Sequence, residues 1–145
     1  MAFRFSLATV LQVRDSIEKR EELALQKVQF EIANVRNQIE ILTATIKNKQ
    51  SEQEQSLQRP TPARDLQALI NEIHCSMNAR QLLYNSLEKL TLEQQRRMKA
   101  YQTAHAARQM LTEMLTQQRE SYDREQLRNE QKALDEVFSA RAWRE

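Results

Sequence analysis

Residues 58–65 read Gln58-Arg59-Pro60-Thr61-Pro62-Ala63-Arg64-Asp65 and hold both prolines of a 145-residue chain that has no glycine. Proline lacks an amide hydrogen, fixes its own φ and pushes the residue before it out of the helical region, so Arg59 and Thr61 are predicted extended or turn-like. No helix runs through this stretch. Thr61 followed by Pro62 also reads as a helix start, with the threonine hydroxyl as N-cap and proline at the first helical position. The chain is thus two arms about one bend, helix one over about 6–57, the bend over 58–62 and helix two over about 62–143.

Composition agrees. With 40% hydrophobic residues, 6% aromatics and a mean hydropathy of -0.77, the chain is too polar for a thick globular core. Its apolar residues are nevertheless too regularly spaced for a disordered segment. The absence of glycine and the abundance of Gln, Glu, Arg, Leu and Ala favour helix at nearly every position. The predicted class is all-α, a single coiled-coil hairpin over 1–145.

Twenty-two Lys and Arg against 20 Asp and Glu leave a net charge of +2, and the signs alternate along the chain. The densest basic group, Arg96, Arg97 and Lys99, reads as a solvated helix face, so no nucleic-acid partner is implied. The single Cys75 has no internal disulfide partner and suits a reducing compartment. No apolar run approaches the roughly 18 to 20 residues that span a bilayer. Phe3 to Val13 is mildly apolar but contains Arg4 and lacks a small-residue cleavage site, which argues against a secretory signal. A cytoplasmic protein without membrane insertion is expected.

Catalytic constellations are not legible either. His74 and His105 lie far apart and read as surface or seam-edge residues, and Cys75 beside His74 lacks a third ligand at metal spacing. Phosphate-cradling loops need glycine. No catalytic residue, metal or cofactor is assigned, and an enzyme is not expected.

In the first arm Ser6 reads as N-cap, with Phe5 and Val10 as a hydrophobic staple. An apolar stripe follows through Val10, Ile17, Ala24, Val28, Ile32, Val35, Ile39, Leu42 and Ile46. From Val28 on it keeps the three-four rhythm of a coiled coil, whereas Ala24 to Val28 to Ile32 amounts to a four-residue insertion that locally unwinds the supercoil. Arg14 and Glu21 interrupt the stripe. The second arm carries Leu66, Ile70, Ile73, Met77, Arg80, Tyr84, Leu87 and Leu90, then Met98, Tyr101, Ala104, Arg108, Leu111, Leu115 and Tyr122. Asp15 with Lys19, Glu93 with Arg97 and Glu120 with Arg124 read as helix-supporting pairs.

At about 1.5 Å per residue the arms measure about 75 Å and about 120 Å. Folding about Pro60 sets Ile46 near Ile73, Leu42 near Met77, Ile32 near Leu87 and Ile17 near Tyr101. The first arm then runs out opposite about residue 115. The remainder, bearing Leu134, Val137, Phe138 and Trp143, reads as a surface awaiting another protein.

The opening Phe3-Arg4-Phe5-x-Leu7-x-x-Val10-Leu11-x-x-Arg14, the downstream Glu21-Glu22-x-Ala24 and the ending Glu130-Gln131-Lys132-Ala133-Leu134-Asp135-Glu136 resemble the FliJ family of bacterial flagellar export proteins. The resemblance implies a non-enzymatic component of the flagellar type III export apparatus, a monomeric antiparallel two-helix coiled coil similar to the central stalk of rotary ATPases. It further implies that the protein promotes assembly and activity of the hexameric export ATPase, couples it to the membrane-embedded export gate and escorts export chaperones. A cytoplasmic location, peripheral at the inner face of the membrane through that apparatus, goes with it. The positions implied for the ATPase ring are Phe3, Phe5, Leu7, Val10, Gln131, Leu134, Asp135, Phe138 and Arg141. Those implied for the gate are Gln38, Leu42, Leu69 and Ile73, while Thr45, Lys49, Ser76 and Arg80 depart from the family's residue types. Two other readings are the central stalk of a virulence-type secretion system or rotary ATPase, and a generic coiled-coil scaffold.

Overall fold

The computed structural model describes residues 2–144. Two helices, α1 (Ala8–Leu57) and α2 (Ala63–Arg144), pack against each other as a hairpin, and the described residues hold no strand. The all-α hairpin read from the sequence is the observed architecture.

The helix ends differ from expectation in instructive ways. Ser6 and Leu7 form a turn, and the first helical carbonyl to accept is that of Leu7, from the Leu11 amide at 2.9 Å. The N-cap is therefore Leu7 instead of Ser6. With Leu7 as N-cap the staple positions pass to Ser6 and Leu11, so Phe5 and Val10 no longer occupy them, and Val10 is exposed. At α2 the Pro62 carbonyl accepts from Asp65 at 3.1 Å and Leu66 at 3.2 Å, which makes Pro62 the N-cap rather than the first helical residue.

Thr61 is thereby released for another task. Its hydroxyl donates to the Ser56 carbonyl at 2.8 Å, occupying one of the last α1 carbonyls that have no helical partner. Bonds spanning three residues, from the Gln58 amide to the Gln55 carbonyl at 3.2 Å and from the Arg59 amide to the same Ser56 carbonyl at 3.3 Å, finish the turn. The bend is held by α1's orphan acceptors, while the Asp65 carboxylate in the first turn of α2 suits that helix's positive end.

The hairpin divides into two compact units, Glu21–Ala100, which contains the bend, and Met1–Arg20 with Tyr101–Glu145. In the bend unit the core is Leu25, Val28, Ile32, Ile39, Ile46 and Ile73, all buried. The α1 members step by three, four and seven, the period of one unbroken coiled-coil seam. The expected insertion at Ala24 is absent, because Leu25 takes the buried place and Ala24 sits beside it, half-buried. Lys49 pairs with Glu72 at 3.3 Å across this seam, and Arg80 donates to the Thr43 hydroxyl at 3.4 Å. Near the bend the seam positions Lys49, Gln53 and Ser56 are polar.

The second unit is built differently. Ala104 is its buried apolar residue, and Glu18 is buried with it. Phe3 lies against Tyr122, ring centroids 5.5 Å apart. The start of the chain thus reaches past residue 115, because residues 2–5 are not helical and extended backbone covers about 3.3 Å per residue against about 1.5 Å in a helix.

Burial decides which side chains carry the fold. Ile32→Ala is expected to cost about 2–5 kcal/mol by cavity formation, whereas Phe30→Ala, on the exposed side of the same helix, stays within about 0.5 kcal/mol. Thr61→Val is expected to cost about 1 kcal/mol and Ser6→Ala almost nothing. Urea unfolding of the four variants, followed by circular dichroism, checks the order.

Candidate functional site

Two features of the second unit bear on function. One is the far part of α2. Every described residue from Asp123 to Arg144 is exposed, and the helix continues through all of them. Leu127, Leu134, Val137 and Phe138 are at least half exposed and Trp143 is 90% exposed. Leu127, Leu134, Phe138 and Arg141 recur at intervals of seven, four and three, which places them along one side of the helix. An isolated helix gains nothing by carrying such a stripe into water.

The positions expected to meet an ATPase fall into two groups. Phe3, Phe5 and Leu7 are half-buried and Val10 is exposed, whereas Gln131, Leu134, Asp135, Phe138 and Arg141 are all exposed on the bare part of α2. Phe3 contacts Tyr122, short of Gln131 along the same helix. Of the positions expected to meet a gate, Gln38 is exposed, Leu42 and Leu69 are half-buried, and Ile73 is buried in the seam. Only the first three offer surface to a partner.

The other feature was not legible in the sequence. The Glu18 carboxylate sits in the seam, its side chain 11% exposed, and accepts a hydrogen bond from His105 Nδ1 at 2.8 Å and another from Arg108 Nε. A carboxylate only accepts, so Nδ1 carries the proton. With that proton directed at Glu18, the Arg108 guanidinium nitrogen 3.5 Å from Nδ1 is a neighbour of the ring and not a donor to it. The Tyr101 ring stacks on the imidazole, centroids 5.9 Å apart. His105 is at the seam edge, as expected, but is bonded there, and His74 is exposed.

Glu18 meets residues further along α2 than the Ile17–Tyr101 pairing expected from folding about Pro60. In helices Cβ leans toward the N-terminus, so in an antiparallel pair both side chains lean past each other, and contacting residues are offset by about a turn. The hydrogen bond from His105 lowers the Glu18 carboxyl below the ordinary glutamate value of 4.5; burial opposes this and Arg108 adds to the lowering.

Among the described residues no group of three or more His, Cys, Asp or Glu is placed to hold a metal ion. Nor, among the described residues, is any helix long and apolar enough to cross a membrane. The family model described as Flagellar FliJ protein matches residues 3–145. No curated protein and no solved structure matches the chain.

A group whose folded pKa is depressed contributes stability that is present above its unfolded value and disappears as pH falls through the folded one. For Glu18 that window lies below pH 4.5. Urea midpoints measured from pH 7 to pH 2 are expected to fall more steeply for the native chain than for Glu18→Leu, with the two curves parallel above about pH 5.

Proposed function

Because the chain belongs to the FliJ family of flagellar proteins, we propose that it works in flagellar protein export as a non-enzymatic stalk that presents helix surfaces to larger partners. The family membership makes it a flagellar, export-related protein. The observation that carries the stalk reading is the stretch of α2 beyond Tyr122, helical yet bare, with Leu127, Leu134 and Phe138 along one side and Trp143 near its end.

A ring-shaped ATPase suits such a rod. Its central opening surrounds a helix on all sides, so apolar side chains that one flat partner would leave wet are covered together. Phe3, Phe5, Leu7 and Val10, on the segment nearest the bare stretch within the same unit, extend the surface. By burying these groups at the interface between ring subunits the stalk promotes ring assembly, since whatever binds the assembled form selectively stabilises it by mass action. Gln38, Leu42 and Leu69 are the residues proposed to meet the export gate, and chaperone escort uses helix surface outside the seam. The protein then resides at the cytoplasmic face of the membrane through its partners and not through a span of its own.

The test uses the full chain and purified export ATPase. Leu134→Asp with Phe138→Asp places two charges on the exposed stripe without touching the seam, so helix content and melting are expected to stay unchanged. Binding is expected to weaken by on the order of a hundredfold, the usual consequence of losing two interface anchors. ATPase affinity and stimulation equal to those of the native chain reject this surface.

A further inference from the structure

The first turns of α1 contain two faces that could meet α2, and their apolar residues are closely matched. The observed seam runs through Leu7, Leu11, Glu18, Glu21 and Leu25, in unbroken heptad rhythm with Val28 and Ile32. One residue to the side runs Val10, Ile17 and Ala24, which Arg14 and Glu21 interrupt and which joins the same Val28 through a four-residue insertion. Coiled coils accommodate such an insertion by local unwinding, so the second phase is sterically available. Adopting the first leaves Val10 42% and Val13 53% exposed and buries Glu18. It also leaves Glu21 Oε2 buried with no hydrogen-bond partner. Leu11 and Leu25 on the first face stand against Val10, Ile17 and Ala24 on the second, so hydrophobic burial alone does not choose between the phases.

What chooses between them is the cluster across the seam. Glu18 keeps two donors, His105 Nδ1 and Arg108 Nε, only while it faces α2. Rolling α1 by one residue, about 100°, turns the carboxylate toward water and strands both donors. We propose that the Glu18–His105–Arg108 cluster is a phase lock: it holds the first turns of α1 in the rotation that keeps Val10 and Val13 on the surface, beside an open groove lined by Thr9, Gln12, Ser16 and Ile17. Buried polar groups that choose one arrangement among several apolar ones are the best-attested use of such groups in coiled coils. The lock itself does not depend on any partner. Its consequence for a partner rests on the stalk reading, since Val10 belongs to the surface proposed above.

Cysteine cross-linking in the full chain, with Cys75→Ser as background, reads the phase directly. Leu11 and Thr112 line one shared depression in the observed phase, so the pair Leu11→Cys with Thr112→Cys is expected to close readily, and Val10→Cys with Thr112→Cys to close at least about tenfold less. Replacing both donors, His105→Leu with Arg108→Leu, leaves Glu18 facing apolar groups, and the preference is expected to invert in favour of position 10. Adding Glu18→Leu removes the buried charge and makes the observed face the more apolar one, so closure at position 11 is expected to return. General loss of packing at this end depresses both products in the donor-free variant, and Glu18→Leu is still expected to restore the first. The lock is overturned if the donor-free variant keeps position 11 as its cross-linking partner, or if adding Glu18→Leu fails to bring that product back. Neither result depends on ATPase binding, so failure of the lock and failure of the stalk reading are told apart.

Discussion

A chain without glycine, interrupted only by Pro60 and Pro62, has one place to reverse, and every other feature of the molecule depends on that reversal. Because the break lies well before the middle of the sequence, α1 ends long before α2 does. The inequality is not repaired by the start of the chain. Residues 2–5 abandon the helix and stretch Phe3 as far as Tyr122, and beyond that ring every described residue of α2 is exposed. The bend is economical: Thr61 closes the end of α1 with its hydroxyl, and Pro62 begins α2 with its carbonyl, so no glycine in a left-handed cap is needed.

The two units bury different things. Between Glu21 and Ala100 the seam is aliphatic, and Leu25, Val28, Ile32, Ile39 and Ile46 repeat a pattern that packs by size and shape. In the other unit a carboxylate occupies the seam with a histidine and an arginine as its donors. A buried charge cluster of this kind adds little net stability over apolar residues of similar volume. Its effect is to discriminate, since removing either side of it leaves a costly unpaired group. Exposed pairs such as Asp15 with Lys19, 3.1 Å apart, contribute much less, being screened and entropically loose.

Much of this was legible in the residues, and the misses share a cause. The prolines gave the hairpin, and the three-four spacing from Val28 to Ile46 gave the seam of α1. The unequal arms gave the bare end of α2. The reading failed where two neighbouring residues competed for one position. Ala24 and Ile17 look like better seam residues than Leu25 and Glu18 taken together, and nothing local reveals that His105 and Arg108 wait on the other helix. Such a pairing exists only after folding, so a pattern read along one helix registers Glu18 as an ordinary surface acid. The caps failed for a similar reason: Ser6 and Thr61 are good N-caps in isolation, but the bend had a stronger use for Thr61 in satisfying Ser56. The partner positions are only partly sorted by the structure, which buries Ile73 and exposes Gln38, Leu134 and Phe138.

The central physical claim is that α2 outruns everything the chain can lay beside it. Amide hydrogen exchange on the isolated protein measures this residue by residue, because helix amides without tertiary packing open readily while those at a seam do not. Slow exchange is expected around Ile32, Ile39 and Ile73, with protection falling off beyond Tyr122 and exchange within seconds from Leu127 to Trp143. Protection at Leu134 and Phe138 as strong as at Ile32 would contradict the account, since it would mean that the chain covers its own far end.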